Sequence, residues 1–251
     1  MKKIFPLFGI LFALAAVLLS HPGLLALLWQ PSAICIVLGA TLGVTVAQTS
    51  SKDLYLAAHM LKWLWEPPQT MFRKSPELFQ SLAKEAKSKG GVAMFEQIAH
   101  KQKDLFMKNM FLMLADNQKA EAIKSELDLT LRASYQKHKD AIQVFEAAAG
   151  YAPTIGIIGS VLGILTALSQ ATQLSESFSS IGSAFVATFY GLAVANLILY
   201  PIANRLKTVV NQLHDEYQII ATGAKLLASN ENSVRIKHSL TKAIEDHDVY
   251  V

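Results

Sequence analysis

Residues 151–169 read YAPTIGIIGSVLGILTALS, and residues 181–203 read IGSAFVATFYGLAVANLILYPIA. Neither stretch contains an Asp, Glu, Lys, Arg or His residue. About 20 consecutive apolar residues, wound as an α-helix, are enough to cross the hydrocarbon core of a membrane. Both stretches are therefore predicted to be transmembrane helices.

Two more spans are predicted nearer the start of the chain, at residues 4–20 and 31–49, which also lack charged side chains. Of the 251 residues, 52% are hydrophobic and 17% are charged, which disfavours an ordinary soluble enzyme. Lys2 and Lys3 followed by an apolar stretch also resemble a secretory signal peptide. No clean small-x-small cleavage site precedes His21, so residues 4–20 are interpreted as the first span.

The basic residues predict how the spans are oriented. All 23 Lys and Arg residues lie at positions 2–3, 52–139 and 205–242, while the short stretches 21–30 and 170–180 contain none. Lys and Arg flank transmembrane helices on the cytoplasmic side. Both termini and the long middle segment are therefore predicted to be cytoplasmic. Because this distribution accounts for the net charge of +4, we expect membrane lipid and not nucleic acid as a partner.

The chain is accordingly predicted to be an all-α membrane protein with four transmembrane helices. A helical cytoplasmic domain is expected between spans two and three, with long helices extending into the cytoplasm. The predicted segments are residues 1–50 for spans one and two with a short outside loop, 51–146 for the cytoplasmic domain, 147–206 for spans three and four, and 207–251 for a cytoplasmic C-terminal helix and tail.

Glycines divide the predicted cytoplasmic domain. Gly90 and Gly91 are expected to separate a charged helix at 77–89 from an apolar-striped helix at 92–115. A further helix is predicted to begin near residue 121 and to continue into the third span, because neither Pro nor Gly interrupts it before the membrane.

The sequence carries no catalytic signature: there is no Walker-type phosphate loop, no His-Glu-x-x-His, no Cys-x-x-Cys and no Gly-x-Ser-x-Gly. The single cysteine, Cys35, excludes an intramolecular disulfide or a Cys-rich metal site. We therefore expect neither enzymatic activity nor a bound cofactor or metal. Because the four predicted spans contain no ionisable acid or base, a chain of this kind that moves ions must obtain a carboxylate from a partner protein.

Small and hydroxyl residues mark the third and fourth spans. Gly156, Gly159 and Gly163 are predicted helix-packing positions, since a Gly-x-x-x-Gly spacing lets two helix backbones approach closely. Ser160 and Thr188 place hydroxyls at membrane depth. A Ser or Thr in a membrane helix usually bonds a carbonyl of its own helix.

Three segments resemble the MotA/PomA flagellar-motor stator subunits, which lie in the wider family that includes TolQ and ExbB. The segments are APTIGIIGSVLGI at 152–164, the fourth span with its following Asn at 181–204, and VLGATLG at 37–43. The resemblance covers most of the chain, is specific over 143–207 and is loose over 55–115.

This resemblance implies a multi-pass protein of the bacterial inner membrane that assembles with itself into a ring, a pentamer around a partner dimer. The implied partner is a single-span, peptidoglycan-anchored MotB/PomB-like subunit whose Asp takes up the coupling ion. Ion flow would turn or reshape the ring, and the cytoplasmic domain would push the rotor protein FliG.

The resemblance also implies roles in the ion pathway. Pro153 and Pro201 match two functional prolines of the family, at which a missing backbone donor permits a hinge. Thr188 matches the family's fourth-span threonine. Ser160 occupies the position at which sodium-driven members have Thr and several proton-driven members have Ala. Protons are the favoured coupling ion.

The family's rotor contact consists of an Arg, a Gly three residues on and a Glu eight residues beyond the Arg. Lys87 and Gly90 fit the first two positions, but Phe95 occupies the third, with Glu96 beside it. The resemblance therefore implies a displaced charge contact that includes Lys87 and Glu96.

Three charged residues follow this motif, namely Lys103, Asp104 and Lys108. They are interpreted as solvent-face residues of the following helix, and Lys103 is predicted to contribute to the rotor contact. Most single charges on a solvated helix face contribute little to binding or stability.

Two other functions stay open from the sequence. One is that of a TolQ/ExbB-type transducer that uses the proton-motive force to energise an outer-membrane system. Members of that type have three spans with the N-terminus outside, unlike the four spans and the Lys2-Lys3 start predicted here. The other is that of a membrane scaffold without an ion pathway.

Overall fold

The computed structural model describes residues 28–89, 91–170 and 174–250, and every regular element in those ranges is helical. The all-α prediction is confirmed for this part of the chain. The predicted first span, residues 4–20, lies outside the described residues, and so does Gly90 of the predicted rotor contact.

The described helices follow one another with short connections. In chain order they are α1 (Pro31–Gln48), α2 (Ser51–Met60), α3 (Ser75–Lys89), α4 (Gly91–Lys101), α5 (Leu105–Ala115), α6 (Ala120–Gln170), α7 (Leu174–Ala193), α8 (Tyr200–Ala228) and α9 (Ser233–Tyr250). Short 3₁₀ turns occupy Leu61–Leu64 and Phe72–Lys74, and a π-helical segment occupies Val194–Leu199.

The chain forms two compact units. Of the described residues, those within 1–54 and 143–203 form the first unit, and those within 55–142 and 204–251 form the second unit. Helices α6 and α8 contribute residues to both units.

Three helical segments in the described part of the chain are long and apolar enough to cross a membrane, namely Pro31–Gln48, Ala120–Ser169 and Ala184–Ala228. They contain most or all of the residues predicted as the second, third and fourth spans. Helix α6 runs without interruption from Ala120 to Gln170. The prediction that a helix beginning near residue 121 continues into the third span is therefore confirmed.

Helix α1 packs against α7 in the first unit through small apolar side chains. Pro31 occupies the start of α1, where a backbone N–H would have no partner within the helix, so its missing N–H costs no hydrogen bond. Ala33 and Val37 of α1 are buried against Val186 and Ala187 of α7. The short side chains on both helices allow this pair to pack closely.

A π-helical segment ends at Leu199, two residues before Pro201. A proline inside a helix lacks the N–H that would bond the carbonyl four residues earlier, and its ring collides with that carbonyl. In the fourth span this carbonyl belongs to Leu197, which lies in the wider turns of Val194–Leu199. Pro201 therefore accounts for the π-helical segment, whereas α6 remains α-helical through Pro153.

The second unit has a large apolar core that joins α3, α4, α5, α9 and parts of α6 and α8. The largest side chains that are almost completely buried in this core include Phe79, Met110, Phe111, Ile123 and Ile220. Burial of a large apolar side chain contributes about 1.5–3 kcal/mol relative to exposure. The core therefore stabilises this unit.

The prediction of one helix over 92–115 is wrong in its continuity. The structure breaks it between α4, which ends at Lys101, and α5, which begins at Leu105. The Asp104 carboxylate accepts a hydrogen bond of 2.9 Å from the Phe106 N–H and so caps the start of α5. Lys103 and Asp104 consequently precede this helix instead of lying on its solvent face.

We expect Gly223→Ala to destabilise the second unit, because a methyl group there would lie 2.7 Å from Cε2 of the fully buried Phe79 ring. Overpacking of this kind costs about 1–3 kcal/mol. Gly150→Ala is the matched control, since no atom lies within 4 Å of the added methyl group. Thermal unfolding of the purified chains, followed by circular dichroism, should show a lower midpoint for Gly223→Ala alone. Equal midpoints for the two variants would contradict this packing.

Candidate functional site

The third and fourth spans approach each other along a row of glycines. A methyl group on Gly156 would lie 2.7 Å from the carbonyl oxygen of Ala187, and one on Gly163 would lie 2.8 Å from Cβ of Ala184. A methyl group on Gly159 would lie 3.1 Å from Cβ of Ala187. At two of these positions any larger residue would force the helices apart, because real Cβ atoms do not approach other atoms this closely.

The glycine row continues on the opposite helix. A methyl group on Gly191 of α7 would overlap the carbonyl oxygen of Ala152 and would lie 3.1 Å from Cα of Pro153. Gly191 lies outside the Gly-x-x-x-Gly pattern of the third span. The sequence signal for this position is the spacing of small residues at 184, 187 and 191, three and four residues apart. These residues face the glycines of α6.

This close approach brings two predicted site residues together. The hydroxyl oxygens of Ser160 and Thr188 lie 2.6 Å apart. The Thr188 N–H donates to Ser160 Oγ at 3.2 Å, and the Thr188 hydroxyl reaches the Gly156 carbonyl oxygen at 3.3 Å. Ser160 is 4% exposed, so water has little access to this cluster of oxygens in the isolated chain.

Thr188 departs from the usual behaviour of a membrane hydroxyl. Thr166 follows the usual pattern and donates to the Leu162 carbonyl of its own helix at 2.8 Å. Thr188 instead contacts Ser160 and Gly156, which both lie on the neighbouring helix. The bond thus links the third and fourth spans, which the residue types alone did not indicate.

The segments around the two prolines share a small buried cluster. Ala149 and Ala152, which flank Pro153 on its N-terminal side, are buried with Ala195 of the π-helical segment. Each of these three alanines has no exposed surface. The part of α6 next to Pro153, where the backbone lacks a hydrogen bond, therefore packs against the π-helical segment that precedes Pro201.

Two threonines of α1 are further buried polar groups that were not predicted from the sequence. Thr41 and Thr45 are 2% and 3% exposed. Thr45 donates to the Thr41 carbonyl oxygen at 2.7 Å, whereas the Thr41 hydroxyl has no hydrogen-bond partner. Their signal was the four-residue spacing of the buried positions Ala33, Val37, Thr41 and Thr45, which defines one helix face.

The site offers hydroxyl and carbonyl oxygens but no charge. The described spans at 31–48, 151–169 and 181–203 contain no Asp, Glu, Lys, Arg or His. Among the described residues, no group of His, Cys, Asp and Glu side chains could hold a metal ion. This arrangement can orient water or an ion, but it has no acid or base to take up a proton.

The predicted rotor-contact residues lie in the second unit. Phe95 is 6% exposed and stacks against Phe111 with ring centroids 6.4 Å apart, so it belongs to the core. Glu96, the next residue along α4, is exposed. Lys103 is exposed between α4 and α5, and Lys87 lies near the end of α3. The position at which the resemblance implies a Glu is therefore buried and apolar here.

Comparison with known families and curated proteins identifies similar sequences. The sequence model of the MotA/TolQ/ExbB proton channel family matches residues 97–219. The chain is 30% identical to Motility protein A of Bacillus subtilis over 179 residues, which are 71% of this chain and 66% of that relative. It is 23% identical to Motility protein A of Helicobacter pylori over 213 residues, which are 85% and 82% of the two chains.

Two solved structures have the same fold. The chain is similar to the Campylobacter jejuni MotAB structure with a TM-score of 0.83 and 20% identity, covering 96% of this chain and 95% of that one. It is also similar to the flagellar MotAB stator complex of Bacillus subtilis, with a TM-score of 0.82 and 26% identity over 93% of each chain. The C. jejuni likeness shows the fold alone, while the B. subtilis likeness extends to sequence.

We expect the contact between Ser160 and Thr188 to depend on Gly191. In a chain with Cys35→Ser, the pair Ser160→Cys and Thr188→Cys should form a disulfide readily on oxidation, since the native oxygens lie 2.6 Å apart. Adding Gly191→Ala should sharply reduce the disulfide yield, because its methyl group pushes α6 and α7 apart. Gly182→Ala, also on α7, is the control, as its methyl group meets no atom within 4 Å. An undiminished yield with Gly191→Ala would contradict the close approach.

Proposed function

Because this chain belongs to the MotA/TolQ/ExbB proton channel family, we propose that it is a stator subunit of a flagellar motor. Together with a MotB/PomB-like partner it forms an ion channel and converts ion flow into torque on the rotor. The Motility protein A relatives and the likeness to the B. subtilis MotAB stator complex support this function. The function is that of a transporter-like motor component and not of an enzyme.

The observation that carries the mechanism is the uncharged oxygen cluster of Ser160, Thr188 and Gly156. A pathway for ions through a membrane ordinarily needs an ionisable group or a cage of polar atoms. The described spans of this chain supply hydroxyl and carbonyl oxygens only. The carboxylate therefore comes from the partner, a single-span subunit anchored to peptidoglycan, whose membrane Asp lies beside Thr188 in the assembled complex.

The assembly is a ring of this chain, a pentamer around a dimer of the partner. Exposed apolar side chains on the spans support lateral contacts with other subunits and with lipid. On α6 they include Ile157, Ile158, Val161, Leu162 and Leu165. An isolated soluble protein would not leave so continuous an apolar face in water.

The topology is multi-pass in the bacterial inner membrane, with four spans and both termini in the cytoplasm. The three apolar helical segments of the described residues support the second to fourth spans. The absence of Lys and Arg from 21–30 and 170–180 supports the placement of both short loops outside. Residues 4–20 supply the remaining span.

Pro153 and Pro201 act as hinges in this proposal. Each removes one backbone hydrogen bond from its helix, and Pro201 follows a π-helical segment. Both prolines flank the alanine cluster that joins the third and fourth spans. A change in the ionisation of the partner's Asp alters the packing there, and α6 and α8 carry the movement into the second unit because they contribute residues to both units.

The second unit contacts the rotor protein FliG through charged side chains. Lys87, Glu96 and Lys103 are the proposed contact residues. Exposure of Glu96 and Lys103 supports their part in this surface. The burial of Phe95 in the core supports a shift of the acidic contact by one residue, to Glu96.

Protons are the coupling ion in this proposal. A sodium ion must exchange its hydration shell for several oxygen ligands, whereas a proton needs only water and the partner's carboxylate. The hydroxyls of Ser160 and Thr188 already bond each other and the Gly156 carbonyl. Thr188 keeps its bond to Gly156 when the Ser160 hydroxyl is removed.

We therefore expect Ser160→Ala to retain most of its swimming speed, and Thr188→Val to stop swimming, because only Thr188 links the two helices through a backbone carbonyl. Thr166→Ala is the control, since that exposed hydroxyl bonds its own helix. The measurement is swimming speed across a sodium series at fixed pH and across a pH series at fixed sodium. Speed should follow pH and be indifferent to sodium. A wild-type speed that rises steeply with sodium would overturn proton coupling.

A further inference from the structure

The second unit contains an open cavity of ≈ 380 Å³ that has no part in the ion pathway or the rotor contact. Residues of the Leu61–Leu64 turn, α5, α6 and α8 line it. This volume lies within the range of about 300–1,000 Å³ that is typical of small-molecule sites. The cavity is thus large enough for a small organic ligand.

Three pairs of aromatic rings form much of the cavity wall. The pairs are Trp63 with His138 at 5.1 Å, Tyr135 with His214 at 4.7 Å, and Phe106 with Tyr217 at 4.8 Å between ring centroids. Aromatic faces carry negative electrostatic potential and attract organic cations. The rings of the first two pairs are tilted towards each other and those of the third pair meet edge to face, so the rings of each pair pack together without stacking face to face.

One carboxylate supplies the charge of this wall. Asp104 is the only Asp, Glu, Lys or Arg among the described residues that line the cavity. Its carboxylate accepts hydrogen bonds from the Phe106 N–H and from the Tyr217 hydroxyl. Both bonds fix the carboxylate, and neither partner carries a positive charge that would cancel it.

The titration behaviour of Tyr217 agrees with a negative charge in the cavity wall. Burial, the hydrogen bond to Asp104 and the charges of Asp104 and Glu216 together raise the pKa of Tyr217. Burial lowers the pKa of His138. The hydrogen bond to Ser134 raises it, and the positive charge of Lys137 lowers it further. The lowered pKa favours the uncharged form of His138, so this ring adds no positive charge beside Asp104.

One polar atom of the wall lacks a partner. Nδ1 of His214 is buried and makes no hydrogen bond, while Nε2 pairs with the Gln218 side chain at 3.0 Å. A buried polar atom without a partner costs free energy, and a bound ligand or water at such a position relieves that cost. Asn109 and Ser134 add further hydrogen-bonding groups to the same cavity.

We propose that this cavity binds a small organic cation with a guanidinium or alkylammonium head. The head stacks on the aromatic rings and faces the Asp104 carboxylate, while its apolar tail lies against Leu105, Leu131 and Val210. Planar guanidinium groups stack well on aromatic rings and pair with carboxylates.

Fluorescence of Trp63 tests the proposal in the full chain, purified in detergent at pH 8. Trp29→Phe and Trp65→Phe leave Trp63 as the only Trp. Butylguanidinium should change its fluorescence saturably. Butylurea has nearly the same shape without the charge, and it should bind at least about tenfold more weakly. Equal binding of the two solutes, or no saturable change with butylguanidinium, would overturn the proposal.

Two variants locate the binding. Asp104→Asn removes the charge and keeps a good helix cap, so butylguanidinium should bind about tenfold more weakly while the helix content is unchanged. Asp215→Asn, which changes an exposed carboxylate of α8 outside the cavity lining, should leave binding unaltered. Ser134→Phe should block binding by filling the cavity. Unaltered binding in Asp104→Asn or in Ser134→Phe would contradict this site.

Discussion

The near contact between the backbones of α6 and α7 is the constraint on which the rest of the first unit depends. Gly156, Gly163 and Gly191 each face an atom of the other helix at a distance that a Cβ would not tolerate. Only at this separation do Ser160 and Thr188 bond each other. Membrane helices gain no hydrophobic free energy from leaving lipid, so close packing and hydrogen bonds between them supply the attraction.

The two prolines lie beside these packed segments. Pro153 follows Ala152, whose carbonyl faces Gly191, and Pro201 follows the π-helical segment that includes Ala195. A helix that lacks a backbone hydrogen bond bends more easily, but the buried alanines Ala149, Ala152 and Ala195 pack together nearby. The first unit therefore combines tight packing at membrane depth with weakened backbones beside it.

Much of the fold could be predicted because the lengths of the apolar stretches and the positions of the charged residues can be taken directly from the sequence. The long α6 followed from the absence of Pro and Gly between residue 121 and Gly150. The break before α5 was missed because it contains neither Pro nor Gly, and only the Asp104 cap marks it. The bond from Thr188 to the neighbouring helix was missed as well, since hydroxyl chemistry alone favours the helix's own carbonyl and the outcome depends on interhelical distance.

The central claim is that this chain provides a shaped but uncharged pathway and that the partner provides the carboxylate. Proton flux into vesicles under an imposed membrane potential tests it most directly. Vesicles that contain the purified chain alone should stay tight to protons and to sodium. Flux should appear only when the MotB/PomB-like partner is present, and it should vanish when the partner's membrane Asp is replaced by Asn. A sustained current through the chain alone would contradict the account.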